Sequence, residues 1–339
     1  MPRILITGAT GFVGSNLTAH LCQQGWEVRC LVRDLSRAAK LERLGAELVL
    51  GSLGDKESIG AATAGVDTVF HVAGRIRALR EKQLFEDNIR GTRNVVEACA
   101  EQTTPPVVVM VSSIAAGGPS KPGSPRSESD RDRPISAYGR SKLEAERTAA
   151  SLASEVPISV IRPPIIFGPA DPASLAIFRG VQQLRLHPSP GWKAFPVSLV
   201  YVTDMCDAMV RVAQQGARLT SSSNGSTDQA SGIYYVAAER TVNYRELGKL
   251  AANALGCRVL APRVPMALFW LLGGAAEVMG QIRRRPGVLN IDKIREAAAP
   301  GWECSDKKIR QELGYQPGES LEQQFAETAA WYREQGWLK

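Results

Sequence analysis

The sequence lacks the framework for disulfides or zinc: its six cysteines, Cys22, Cys30, Cys99, Cys206, Cys257 and Cys304, form no C-x-x-C pair and no Cys/His ligand spacing. They are expected as reduced, mostly buried thiols, and no metal is expected. No basic segment with a sustained apolar run opens the chain; MPRILITGATGFVGSN goes straight into a strand pattern, so a cytoplasmic protein is expected. Internal repeats are missing. Charge of one sign is scarce too: 41 Lys plus Arg against 34 Asp plus Glu leave +7, too small a surplus over 339 residues to indicate a nucleic-acid partner. Aromatics are few, at 6%, but 44% of the residues are hydrophobic, which excludes disordered and fibrous classes and fills one large or two smaller lobes.

What is present is an alternation of strand-length apolar runs with helical patterns. Strands are predicted at Arg3–Thr7, Glu27–Val32, Glu47–Leu50, Thr68–Val72, Val107–Val111 and Ile158–Ile161, with helices over Gly14–Gln24, Leu84–Ala100 and Ala137–Ser154 between them. A run such as VVVMV at 107–111 suits a strand buried on both faces, as in a parallel sheet between two helical layers. The fold class is therefore α/β, a Rossmann-type doubly wound parallel sheet with a smaller α+β C-terminal lobe. The alternation stops after Arg162. The expected division is a dinucleotide domain at 1–165, with returning pieces near 198–236, and a substrate lobe at 166–197 and 237–339.

Two segments allow more than one reading. Gly117–Pro134 is polar with nearly balanced charge, either a solvated surface loop or an active-site flap. Val264–Ile282, followed by three arginines at 283–285, reads as a helix lining an apolar pocket, as a patch lying on an anionic membrane surface, or as a span.

Directly after the first strand stands Gly8-Ala9-Thr10-Gly11-Phe12-Val13-Gly14, a G-x-x-G-x-x-G turn into a helix. Such glycines permit a tight turn and close approach of backbone to a pyrophosphate, which the helix N-terminus then receives. The tip of the second strand reads Val32-Arg33-Asp34-Leu35-Ser36-Arg37, with Lys40 beyond. Arg33 and Arg37 suit the 2′-phosphate of NADP, which is favoured; Asp34 keeps NAD possible through a bond to a ribose hydroxyl. Further on, the fifth strand ends in Ser112-Ser113, and Tyr138 and Lys142, four apart, share one face of a helix. A phenol with a reference pKa of about 10 becomes a usable acid or base when an ammonium nearby favours its anion.

With those pieces the chain resembles the extended short-chain dehydrogenases/reductases, the NAD-dependent epimerase/dehydratase superfamily, from end to end. The matching residues are the Gly8/Gly11/Gly14 turn, His71-Val72-Ala73-Gly74, Asn88-Ile89-Arg90-Gly91-Thr92, Ser112-Ser113, Tyr138-x-x-x-Lys142, Arg162-Pro163-Pro164, Phe167-Gly168-Pro169 and Val200-Tyr201-Val202-Thr203-Asp204. The resemblance implies that Ser113, Tyr138 and Lys142 form the catalytic triad, with Asn88 holding the helix of Lys142 through a water. It also implies cofactor contacts from Ser52, Leu53, Val72, Ala73, Gly74, Ser112, Tyr138, Lys142, Pro163 and Ile165, and a homodimer through the helices at 84–100 and 137–154.

Departures from the family pattern bear on the substrate. Sugar-nucleotide members place asparagine where Ile165 stands and arginine where Val197 stands, both for the diphosphate, and an Asp is common at Ser52. Losing polar diphosphate contacts while gaining Ile165, Ile166 and Phe167 points to an apolar substrate. Arg-Pro-Pro-Ile-Ile-Phe-Gly-Pro with the 264–282 segment is similar to the 3β-hydroxysteroid dehydrogenase and dihydroflavonol reductase branches. The expected function is an NADP-dependent interconversion of secondary alcohol and ketone on a sterol-, flavonoid- or long-chain-like molecule, with Ser113, Ala115, Pro164, Ile166 and Phe167 as substrate contacts. The alternatives are a sugar-nucleotide epimerase or dehydratase, and a non-catalytic NADP-binding redox sensor or assembly factor.

Overall fold

The computed structural model describes residues 2–193, 195–220, 231–283 and 291–339, apart from the side chains at 278 and 280. Alternation along each strand decides which helices it meets. In β1 (Arg3–Thr7), Ile4 and Ile6 enter the core under one helical layer and Leu5 enters the core under the other. Six further strands join it: β2 (Glu27–Val32), β3 (Glu47–Leu50), β4 (Thr68–His71), β5 (Val107–Val111), β6 (Ile158–Arg162) and β7 (Ile233–Tyr235). All pairings are parallel, in the order β7-β6-β5-β4-β1-β2-β3. Helices Phe12–Gln23, Leu35–Arg43 and Val202–Gln215 cover one face, and Lys56–Thr63, Gly91–Ala100 and Ala137–Ala150 the other. The chain reverses direction across the sheet between β1 and β4, and a crevice at such a switch point, outside the carboxyl ends of the strands, is where ligands of open α/β sheets bind.

The predicted strands recur within one residue, and the expected doubly wound sheet is the one found. The long helix expected over Leu84–Ala100 is composite: Glu81–Phe85, a π-helical turn Glu86–Arg90, then Gly91–Ala100. β7 was not predicted; its three residues are too few to show a period.

A second core lies after β6. Phe167, Phe178, Phe325 and Tyr332 pack in it at ring-centroid separations of 4.7 to 5.8 Å, so much of the sparse aromatic complement gathers here. The helix Met266–Ile282 lies against the helix Ile291–Ala297 and leaves Leu271 69% and Ile282 70% exposed. Among the described residues no helix is long and apolar enough to cross a membrane, which removes the spanning reading of 264–282. Arg284 and Arg285 lie outside the described residues. Among the described residues, no large exposed hydrophobic side chain lies on Gly91–Ala100 or Ala137–Ala150, the helices expected to join protomers.

The loop after Gly117 corrects the solvated reading. Arg126 and Glu128 are buried, the Glu128 carboxylate accepting from the Tyr235 N–H at 2.9 Å and Arg126 donating to the Arg131 carbonyl at 2.8 Å. Asp132 accepts from both terminal nitrogens of Arg162, at 2.7 and 2.9 Å, while the Arg162 Nε donates to Glu146 at 3.0 Å. Arg162 is 1% exposed, so its charge survives burial only through these two carboxylates. Glu146→Ala should lower the unfolding free energy by about 3–5 kcal/mol, the cost of leaving a buried charge half-paired. Urea denaturation followed by circular dichroism measures it, and a loss below about 1 kcal/mol would contradict the account.

Candidate dinucleotide and catalytic site

The turn after β1 is built from backbone against backbone. Gly8 has φ +75, and a Cβ there would meet the Ala73 Cα and N at 2.7 Å. A Cβ on Gly14 would lie 2.2 Å from the Gly8 carbonyl oxygen, so helix Phe12–Gln23 starts pressed onto its own turn. The Gly11 N–H donates to the Gly8 carbonyl at 3.0 Å, and no side chain caps this helix. Thr10 and Gly11 are exposed and Phe12 and Val13 half-buried, leaving the helix start accessible beside Val72, Ala73 and Gly74.

At the tip of β2, Asp34 caps helix Leu35–Arg43, accepting from the Ser36 N–H at 3.0 Å and the Ser36 hydroxyl at 2.6 Å, and it lies 3.4 Å from Arg37 Nε. The hydrogen bond from Ser36 is the main cause that holds its carboxyl below the ordinary range. Arg33 is exposed. Lys40 turns away, its ammonium 6.0 Å from the centre of the Trp331 ring, which removes it from the basic group expected there. Ser52 is half-buried, its N–H donating to the Ser58 hydroxyl at 3.3 Å, and the Leu53 carbonyl accepts from Asn94 at 2.7 Å.

The catalytic candidates meet at the carboxyl end of β5. Ser113 caps the short helix Ile114–Gly117, and helix Ala137–Ala150 approaches that helix so closely that a Cβ on Gly139 would fall 2.3 Å from the Ala115 carbonyl oxygen. This contact seats Tyr138 beside Ser113. Lys142, one turn on and buried, donates to the Val111 carbonyl at 2.7 Å. Asn88 sits in the π-helical turn, accepting from the Arg75 N–H at 2.7 Å and donating to the Ser141 hydroxyl at 2.9 Å. Its link to the helix of Lys142 is thus direct. The Ser112 hydroxyl is buried with no partner.

Burial pushes the Tyr138 phenol up to about 12, against the Ser113 hydroxyl, which lowers it, and with Glu296, which raises it. Burial likewise brings Lys142 down to about 8, opposed by Glu146. The Tyr138 phenol is thus raised where a lowering by Lys142 was expected: burial is the largest cause, and the Lys142 hydrogen bond goes to the Val111 carbonyl. Tyr138 is therefore a neutral phenol at neutral pH.

The candidate substrate contacts divide by burial. Phe167 is 2% exposed and fills the second core, and Ile166 packs against the core of the large sheet. Pro163, Pro164 and Ala115 are buried; Ile165, 42% exposed, is the apolar residue of this stretch left open. Sequence reasoning missed the helix Ile291–Ala297, whose Asp292 accepts from the Ala137 N–H at 2.8 Å and whose Lys293 ammonium stands 5.4 Å from the centre of the Tyr138 ring. Its charges carry no motif; their i,i+3 spacing signals only a polar helix.

A doubly wound parallel sheet with a glycine turn at its switch point, and Ser, Tyr and Lys at the end of the fifth strand, defines a nucleotide-dependent oxidoreductase of the short-chain type. The model of the NAD dependent epimerase/dehydratase family matches residues 4–223, and the chain belongs to that family, an NAD(P)-dependent enzyme of the extended short-chain dehydrogenases/reductases. It is similar to a ceramide reductase of Caulobacter vibrioides, 28% identical over 337 residues that cover 99% of this chain and 96% of the relative. It is also similar to sterol demethylase protein B of Methylococcus capsulatus, 26% identical, with 98% and 99% covered. In fold it matches the UDP-glucose 4-epimerase of Thermotoga maritima, with TM-score 0.77, 20% identity and coverage of 98% and 99%.

Lys142 generates a stability prediction. Its pKa in the folded chain, about 8, lies below the ordinary 10.5, so between those values the unfolded chain holds more protons and stability rises with pH. Below about 8 the penalty of the buried ammonium is fully present. Lys142→Met should therefore make the cofactor-free protein about 1–2 kcal/mol more stable at pH 7, a gain that shrinks as pH approaches 10.5. Thermal denaturation at several pH values measures this; a variant equally destabilised at every pH would contradict it.

Proposed function

We propose that the protein interconverts a secondary alcohol and a ketone on an apolar substrate, with NADP as the cofactor. The observation that carries the reading is the meeting of Ser113 and Tyr138 at the end of β5, with Ile165 open nearby where sugar-nucleotide members carry a diphosphate-binding asparagine. The names of the ceramide reductase and of sterol demethylase protein B support an apolar substrate class.

The residues present fit a dinucleotide. The cradle at Gly8 and Gly14 admits no Cβ, the helix N–H groups beside it have no side-chain cap, and the orphaned Ser112 hydroxyl lies next to Lys142's carbonyl partner, Val111. Thr10, Gly11, Phe12 and Val13 would receive the pyrophosphate, Val72 to Gly74 would flank it, and Ser52, Leu53, Pro163 and Ile165 would complete the binding surface. When bound, the nicotinamide exchanges a hydride with the substrate carbon. Tyr138 supplies the proton to the carbonyl oxygen, Ser113 donates a hydrogen bond to the same oxygen, and Lys142 binds the nicotinamide ribose. Asn88 keeps the helix of Lys142 in place through Ser141. For NADP over NAD, Arg33 is exposed at the strand tip, whereas Asp34 is already engaged by Ser36 and Arg37. The residues at 1–165 with pieces near 198–236 form the dinucleotide domain of this reading, and 166–197 with 237–339 the substrate lobe; a homodimer belongs to it as well.

Tyr138→Phe should cut turnover of a ketone by about 10³-fold or more while NADP affinity stays within about threefold. Retained turnover would end the assignment, and a dissociation constant for NAD equal to or below that for NADP would remove the cofactor preference. The same reading places Met266–Ile282, with its exposed Leu271, Leu272 and Ile282 beside Arg283, on an anionic bilayer surface. Vesicles of phosphatidylserine and phosphatidylcholine should pull the protein down at low salt, and Leu271→Asp should release it. A protein that stays in the supernatant at low salt would refute the contact.

A further inference from the structure

Outside the group formed by Ser113, Tyr138 and Lys142, one polar cluster faces the same tyrosine from the other lobe. The Lys293 ammonium, over the Tyr138 ring, is ion-paired with Glu296 Oε2 at 2.6 Å. Glu296 is only 14% exposed, and its second oxygen, Oε1, is buried with no hydrogen-bond partner. Its field reaches two phenols: after burial it is among the influences that raise Tyr138, and after burial it is the one that raises Tyr244. Neither the fold nor the ion pair uses Oε1. A buried acceptor that no donor of the chain reaches is left for a donor from a ligand. A site built around such an acceptor rejects analogues that lack the donor.

We propose that Glu296 is a specificity residue of the substrate pocket, accepting a hydrogen bond from a hydroxyl or amide N–H that the substrate carries next to the carbon served by Tyr138. Lys293 holds the carboxylate in position through Oε2 and leaves Oε1 to the ligand. The substrate class is then an amphiphile, a long apolar chain bearing a donor group one or two bonds from the ketone, rather than a plain hydrocarbon ketone. This rests on the reading of the site as a ketone/alcohol site.

The test compares 1-hydroxyoctan-2-one with octan-2-one by calorimetric titration into protein saturated with oxidised cofactor, NADP⁺, or NAD⁺ should that bind more tightly; no reduction occurs there. The hydroxyketone is expected to bind at least tenfold more tightly, and Glu296→Leu to bring the two ketones within twofold of each other. Equal affinities in the parent protein, absence of binding by both included, overturn the proposal, as does a preference that survives in Glu296→Leu. Should that variant not fold, Glu296→Gln decides: a preference reduced at least threefold supports the role and an unchanged one overturns it. Turnover with reduced cofactor separates the two readings. A tenfold preference without reduction of either ketone keeps the role of Glu296 and ends the reductase reading, whereas reduction without preference ends the role alone.

Discussion

The guanidinium of Arg162 is the interaction on which the site's geometry depends. It closes β6, and from there it bonds Glu146 on the helix of Tyr138, Asp132 on the loop after Gly117, and the Tyr235 hydroxyl on β7 at 3.3 Å. Three segments distant in sequence are thus registered on one planar fork whose donors have fixed directions. Such a network costs much of what it gains, since both signs of charge leave water. What it supplies is orientation. Tyr138, Lys142 and Glu146 recur every four residues and share one stripe of the helix, so fixing Glu146 fixes the rotation that turns Tyr138 and Lys142 toward β5. Asp292 holds the other end of that helix at the Ala137 N–H, leaving it little freedom to roll.

Against this anchored helix, close backbone contacts set the distances. Gly139 against Ala115, Gly8 against Ala73 and Gly14 against Gly8 each leave no room for a methyl group. They bring the strand ends, the glycine turn and the helix of Tyr138 nearer than side chains permit. The cost of that compactness is desolvation, visible in the neutral His71, whose pKa burial lowers to about 3 with Lys142 adding to the effect, and in the raised phenol of Tyr138. Burial thereby keeps both the His71 ring and the Tyr138 phenol neutral at neutral pH.

The sheet and its glycine turn were legible because their signals are local: continuous apolar runs, a G-x-x-G-x-x-G between strand and helix, and a tyrosine four residues before a lysine. Signals that depend on a distant partner were not. Gly117–Pro134 left a solvated loop and an active-site flap both open, because nothing in it reveals that Arg162 awaits Asp132 30 residues on. Phe167 read as a substrate contact beside its motif, yet its ring packs at 4.7 Å from Phe325 near the end of the chain. β7 was too short to declare itself. Lys142 was expected to lower Tyr138, but the burial that raises the phenol is set by the fold and has no local signal.

The contiguous stretch from Met266 to Ala297 gathers the features that the dinucleotide lobe does not need. One helix of it presents leucines and Ile282 to the outside, the next sets Lys293 over Tyr138 with Glu296 paired to it, and the Ile291 N–H donates to Glu277 at 3.1 Å to join the two. An apolar surface and a buried, half-paired carboxylate therefore stand on one contiguous unit, which Asp292 ties to the catalytic helix. Under the role proposed for Glu296, a substrate with a donor group near its reacting carbon meets the second helix of this unit, while the outward side chains of the first remain for the proposed bilayer contact. Under the same proposal a sugar nucleotide would set its diphosphate against Ile165, an apolar side chain with no hydrogen bond to offer it.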